Sequence, residues 1–389
     1  MDNSHPKDFP HDSIQGAAGN FADVYSKYME SPWQFFAMGY LTCLGSLISH
    51  QITLQSEISP QPRLYTVVIG ESADDRKSES IRQSTKFFDQ TLNSQSTSFS
   101  FNVCMGLGSA EGLANRAHGI RNLLLVYDEL KAFVSKAQID GSILTPCVNT
   151  LFESNTFHSS TKKKSISLND IYLSLLGACT AETYKRIWTP AFLDIGFINR
   201  LFLVTGKGER RFAIPRLIPE SEKSQLESEL IQVLKFVDSL PKQNGRYAMP
   251  VDSDAYDLFE SWYLAQEQSL FTKRLESYGL RFIVLLTINE HQNQVTADIV
   301  QKVIDLLSWQ LEVRKLQDPI DAETLIAKIE GIIKRALIQG PLSKRELERK
   351  CNKSRYGQFY WDATKNGLIK GNQMGWDEKN GVYFLNAEP

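Results

Sequence analysis

The sequence has little cysteine and none of it is paired. Cys43, Cys104, Cys147, Cys179 and Cys351 are scattered singly. Neither a disulfide framework nor a cysteine-based metal site has the spacing it needs, and single thiols suit a reducing, cytoplasmic setting. The six histidines do not cluster with cysteines or acids, which leaves a zinc site without ligands. Net charge is nearly absent, at −2 over 389 residues. A nucleic-acid partner therefore needs a local basic surface. The N-terminus "MDNSHPKDFPHDS" is polar and acidic and is no signal peptide. The most apolar run, Phe35 to Ile52, is interrupted by Thr42, Ser46, His50 and Gln51 and is short for a bilayer span. It reads as a buried helix, so no membrane contact is expected.

What is present is an ordinary globular composition, long enough for two or three domains. Residues 1–30 read as a loosely held leader. From 31 to 219, β-branched apolar runs alternate with helical spacing: "LYTVVIG", "SFSFNVCMGLGS", "RNLLLVYDEL", "SISLNDIYLSLLGAC" and "INRLFLVTGKG" are the strands. Such alternation predicts an α/β fold with a mostly parallel sheet covered on both faces. From 220 to 318 the β-branched strands stop and helical patterns take over. From 319 to 389, three helices stopped by Gly340 and Gly367 and then a glycine-turn hairpin predict a winged helix-turn-helix.

One stretch, "RLYTVVIGESADDRKSES", has the order strand, glycine, polar loop, Lys77-Ser78, helix. A phosphate-binding loop needs converging backbone N–H groups, a lysine for the β- and γ-oxygens and a hydroxyl for Mg²⁺. Gly70 can turn the chain, and Lys77 and Ser78 can supply the rest. Gly70 stands seven residues before the lysine, not the usual six, and Arg76 takes the slot of a second glycine. Glycine reaches φ > 0 freely there, whereas arginine carries a Cβ but could add charge toward phosphates. Asp74 and Asp75 are unfavourable beside a triphosphate unless they face away. An ordinary solvated strand-to-helix turn is the competing reading. "LLLVYDE" adds a second signal, an apolar strand ending in Asp128 and Glu129 about 50 residues further on. Asp128 would hold Mg²⁺, directly or through water, and Glu129 would polarise the attacking water. Two exposed acids at an edge turn would look the same alone. The pairing of the motifs favours an ATP and Mg²⁺ site, with the two strand tips expected side by side.

With "GLGSAEGLA", "LSLLGACTAETYKRI" and "DIGFINRLFLV", these motifs stand in an order that resembles the helicase-like P-loop ATPases associated with phage and plasmid primases. That group is similar to AAA+ and RecA-type motors, and in it a loop ending Arg-Lys-Ser is a recurrent variant. The resemblance runs over roughly residues 30 to 310. It implies a P-loop NTPase core followed by a helical lid, with Gly70, Arg76, Lys77 and Ser78 around the phosphates. Thr180 matches a polar sensor, and a helix N-cap is the alternative. Arg200 matches an arginine that reaches a neighbouring subunit's γ-phosphate, which implies a ring-like, hexamer-type homo-oligomer, and a surface ion pair is the alternative. Arg281 matches a second sensor from the lid.

For nucleic acid, Lys162, Lys163 and Lys164 fall on an expected hairpin or loop before the strand of "IYLSLLGAC"; the resemblance implies a hairpin facing a central channel, where they suit backbone phosphates, and a solvated loop is the alternative. In the last module Lys344, Arg345, Lys353 and Arg355 accompany Tyr356, Phe359, Tyr360 and Trp361. That mixture fits DNA binding, with a hydrophobic core and protein docking as alternatives. The expected function is an ATP-dependent, helicase-like DNA motor or remodeller in replication of a mobile element, with primer synthesis left to a separate primase. The alternative is a non-hydrolysing DNA-binding replication initiator on a degenerate ATPase scaffold.

Overall fold

The computed structural model describes residues 8–71, 75–95, 97–160, 165–188, 196–269, 271–317 and 325–386. They fall into two compact units, 8–317 and 325–386. In chain order the first unit contains α1 (Gly16–Tyr28), α2 (Trp33–Ile48), β1 (Ile52–Leu54), β2 (Tyr65–Gly70), α3 (Lys77–Ser94), β3 (Val103–Met105), α4 (Ala110–Arg116) and β4 (Asn122–Tyr127). Next come α5 (Leu130–Ala137), α6 (Leu144–Glu153), β5 (Phe157–Ser160), β6 (Ser165–Leu168), β7 (Tyr172–Thr180), α7 (Ala181–Arg186) and β8 (Phe202–Thr205). Helices α8 (Glu220–Ser239), α9 (Ser253–Leu264), α10 (Leu275–Asn289) and α11 (Ala297–Gln317) complete it, with the short β9 (Tyr247–Met249) after α8.

The apolar runs form one five-stranded, all-parallel sheet in the order β3-β4-β7-β2-β8. Every residue of β2 and β4 is buried, as expected of strands covered on both faces. Neighbouring side chains show the two coverings. Thr66 meets Thr42 of α2, hydroxyl to hydroxyl at 2.7 Å. Tyr65, pointing the other way, donates to the Val148 carbonyl of α6 at 2.8 Å and sets its ring edge-on to Phe152. The fold is thus α/β and compatible with a P-loop-like core. The run read as a buried helix is α2, buried from Phe35 to Ile48. No helix among the described residues is long and apolar enough to cross a membrane.

Two expectations about boundaries are corrected. The chain from Asp8 onward is part of the first unit and no loose leader. Phe9 packs edge-on against Trp309, and Asn289 accepts from the Ala18 amide and donates to the Gln15 carbonyl. Nor do residues 220–317 form a separate body. Tyr278 and Phe282 pack on Phe202 of β8, and Gln310 of α11 accepts from the Leu203 amide at 3.1 Å. One small pairing was unforeseen, β1 parallel to β9, while β5 lies antiparallel to β6 where a hairpin or loop was expected.

The ends of the sheet where strands begin are laced by buried arginines on main-chain carbonyls. Arg63 reaches Ile171 and Ser154, and Arg281 reaches Arg63 and Phe152. Arg314 reaches Phe271, Lys273, Asn199 and Leu201. Burial, then the nearby Arg281 charge, brings the Arg63 guanidinium down to about 9.

The second unit is described by itself. It comprises α12 (Leu325–Ile338), β10 (Leu342–Ser343), α13 (Lys344–Lys350), α14 (Lys353–Tyr356), α15 (Gln358–Lys370), β11 (Met374–Asp377) and β12 (Val382–Leu385). Its antiparallel sheet has the order β10-β12-β11, over a core that includes Ile329, Ile333, Leu347, Trp361 and Leu368. Trp361 is therefore core. Gly367 does not stop its helix: α15 continues to Lys370, and the break falls instead at Gly357, with φ +79°.

Gly45 lets α2 approach the segment that feeds β2. A Cβ there would stand 2.1 Å from the Pro62 carbonyl oxygen. Gly45→Ala should therefore cost about 1–3 kcal/mol of stability, read from urea unfolding midpoints. An unchanged midpoint would contradict the close contact.

Candidate functional site

The candidate site is built where β2 ends. Gly70 is buried, and a Cβ on it would stand 2.5 Å from an Asp75 carboxylate oxygen. The turn therefore demands glycine. Asp74 lies outside the described residues. Asp75 is 2% exposed and its carboxylate is turned onto main chain, accepting from the Glu71 amide and from the Gly208 amide, the latter at 2.6 Å. It braces the loop from inside and joins it to the turn after β8.

Arg76 adopts φ 48°, ψ 36°, the left-handed conformation that glycine takes most easily. Its guanidinium does not lie free toward the crevice. Nη2 and Nε sit 3.0 and 3.3 Å from Glu30 Oε2, and its carbonyl accepts from Ser31 at 3.0 Å. Main-chain donors at Phe212 and Arg211 hold the Glu30 carboxyl below the usual carboxylate range, and Arg76 adds to this. Lys77 opens α3. It is buried, and its ammonium donates to the Glu71 carbonyl at 2.5 Å, with no carboxylate partner among the described residues. Ser78 follows, exposed, in the first turn, where unpaired helix N–H groups favour an anion.

The Lys77 and Asp128–Glu129 tips are not side by side, which corrects the expected adjacency. β7 runs between them, with Gly70 opposite Thr180 and Tyr127 opposite Gly177. Two strand spacings put β2 and β4 about 10 Å apart. Cys179, at the tip of β7, links the two sides. Its thiol donates to Glu129 at 3.6 Å. Burial pushes that thiol upward, Glu129 adds to the rise, and the Lys77 ammonium opposes it. Asp128 and Glu129 are both exposed beyond β4. Thr180 stands beside Gly70, but its hydroxyl caps α7, accepting from the Thr183 amide at 3.1 Å.

Two arginines lie elsewhere. Arg281 is 5% exposed and spends its guanidinium on the carbonyls of Arg63 and Phe152, at the end of the sheet where strands begin. A sensor role in this chain's own crevice is thereby corrected, because Lys77 lies at the other end. Arg200 precedes β8 and so shares that far end. It donates to Gly196 at 3.0 Å and lies 3.7 Å from Glu153, which also pairs with Arg274 at 2.5 Å. A cleft of about 980 Å³ runs beside it, lined by Arg200, Trp262, Tyr263, Thr272 and Arg274.

Of the proposed nucleic-acid residues, Lys162, Lys163 and Lys164 fall between β5 and β6, outside the described residues. Lys344 and Arg345 are exposed at the start of α13, while Lys353 is paired with Glu348 at 2.8 Å. The Arg355 and Phe359 side chains are not among those described.

No protein-family model matches the chain, and no curated protein matches it. The chemistry of the donors must speak for itself. A buried ammonium without a carboxylate, a helix start, a hydroxyl and two exposed carboxylates are oxygen and nitrogen groups that fit a magnesium-bound triphosphate. Among the described residues, no group of three or more His, Cys, Asp or Glu side chains could hold a metal alone. The phosphates and water would have to complete the Mg²⁺ shell.

Glu30, Asp75 and Cys179 were not foreseen as parts of the site. Asp75→Ala should leave two amides without their acceptor and cost on the order of 3 kcal/mol in chemical denaturation. A loss below about 0.5 kcal/mol would show that the brace carries nothing.

Proposed function

We propose that the chain is a P-loop ATPase of the helicase-like, primase-associated type, which couples ATP and Mg²⁺ to movement or remodelling of DNA during replication of a mobile element. One observation carries this reading. The loop after β2 takes a left-handed turn into Lys77 and Ser78, and Asp128 and Glu129 stand across a single intervening strand whose Cys179 thiol donates to Glu129. In this reading Lys77 leaves the Glu71 carbonyl to hold the β- and γ-oxygens. Ser78 and Asp128 hold the metal, and Glu129 accepts the proton of the attacking water. Bound Mg²⁺ supplies charge neutralisation on the transferred phosphoryl oxygens. Arg200 points to a homo-oligomer: it lies at the far end of its own sheet, so its target would be a second copy's phosphates. The cleft beside it leaves room for such a contact. Helices α8–α11 take the part of a lid. The order of the second unit, one helix, a short strand, three helices and a hairpin, with β12 central, favours a winged helix that presents Lys344 and Arg345 to DNA phosphates.

A second reading is favoured by the loop's own bonds. With Lys77 on Glu71 and Arg76 on Glu30, the same loop could serve as a closed scaffold in a non-hydrolysing DNA-binding initiator. Thermal unfolding and phosphate release separate the two. Mg-ATP at a hundred times its Kd should add about 2.7 kcal/mol of stability. Lys77→Ala should abolish that gain. Glu129→Gln should keep it while lowering phosphate release, with single-stranded DNA present, by about 10²-fold or more. Equal release by the parent and both variants would exclude the motor. No stabilisation by any nucleotide would favour the scaffold, and stabilisation without DNA-stimulated release would leave a binding switch.

A further inference from the structure

The loop carries arginine where its backbone wants glycine, and something must hold that residue there. Left-handed backbone is unfavourable for an L-residue, whose Cβ crowds the following carbonyl, whereas glycine takes it freely. At Arg76 both ends of the residue are anchored to the junction between α1 and α2. The carbonyl accepts from the Ser31 hydroxyl at 3.0 Å, and the guanidinium lies 3.0 Å from Glu30. The Glu30 side chain is 6% exposed and also accepts from the amides of Arg211 and Phe212, at 2.8 and 2.9 Å. The Arg211 guanidinium turns back onto the carbonyls of Ser26 and Met29. One carboxylate thus joins the phosphate loop, the α1–α2 junction and the segment after β8.

We propose that Glu30 is a positioning residue of this loop: it pins Arg76 in the left-handed conformation and so replaces the missing glycine by an ion pair between a half-exposed guanidinium and a buried carboxylate. The proposal rests on the nucleotide-binding reading for its functional consequence, but the clamp itself is a property of the ligand-free chain. Pairing with Glu30 also directs the Arg76 charge away from the helix start, which leaves Lys77 as the cation facing it. The segment after β8 becomes a structural part of the site, through Glu30 on one side and through Asp75 and Gly208 on the other.

A mutant cycle with the full chain tests this, using a fluorescent N-methylanthraniloyl ATP with Mg²⁺ as the probe. Arg76→Gly should bind it within about threefold of the parent, because glycine needs no pin. Glu30→Gln in the parent should weaken binding about tenfold, the scale of one charge-assisted contact. Glu30→Gln added to Arg76→Gly should change binding less than about twofold. Equal loss from Glu30→Gln in both backgrounds would overturn the proposal, as would loss of binding by Arg76→Gly alone, which would place the guanidinium on the phosphates. The same four chains without ligand give urea midpoints, where Glu30→Gln should lower the midpoint more in the parent than in the Arg76→Gly background. If no variant binds the probe, the nucleotide reading fails, and the urea cycle decides the clamp: non-additive midpoints support it and additive midpoints overturn it.

Discussion

Strand β7 is the member on which the rest of the site depends. It is hydrogen-bonded along its length to β4 on one side and to β2 on the other, and all its residues but the last are buried. A slip of one residue on either side would turn buried side chains to the wrong face. The double pairing therefore fixes how far each neighbour projects. Lys77 and the pair Asp128–Glu129 owe their separation to backbone ladders. Loop geometry then only trims it, through the carboxylates of Asp75 and Glu30.

The two ends of the sheet are held by opposite charges. Where the strands finish, buried carboxylates collect main-chain N–H groups from loops that meet there. Where they begin, Arg63, Arg281 and Arg314 collect main-chain carbonyls. A buried guanidinium without donors satisfied would be costly, and the carbonyls offset that cost. This division braces one end of the sheet with guanidinium groups on carbonyls, while at the other end the Ser78 hydroxyl and the acids Asp128 and Glu129 are exposed. It also explains why an arginine on an apolar helix, Arg281, is scaffold.

The strands and their alternation with helices were legible because "YTVVIG" and "NLLLVY" are continuous apolar runs bounded by turns. Their order was not. Nothing local in "IYLSLLGAC" says that it inserts between the other two, since that depends on crossovers. The segment 8–30 looked loose because its anchors, Asn289 and Trp309, are remote in sequence. The places of Gly70 at a strand end, Lys77 and Ser78 at a helix start and Asp128 and Glu129 just past another strand were legible from the local pattern. Arg281 was misplaced because its hydrogen-bond partners are remote in sequence, whereas the N-cap offered as the alternative for Thr180 is the one the structure shows. Glu30 passed unnoticed because it is remote in sequence, and Asp75, read as unfavourable unless it faces away, is turned onto the Glu71 and Gly208 amides. The arginine in a glycine slot was the signal, because such a residue calls for a counter-charge. The end of α15 was misjudged for the opposite reason: Gly367 meets no neighbour and keeps helical backbone, so nothing there stops the helix.

The most direct test is a crystal structure of the chain with Mg²⁺ and a non-hydrolysable ATP analogue. The account predicts a phosphate oxygen within hydrogen-bond reach of Lys77 Nζ, about 2.7–3.2 Å, and a metal ion between Ser78 Oγ and the Asp128 carboxylate. Nucleotide bound away from the β2 tip, or a metal coordinated without either residue, would contradict it.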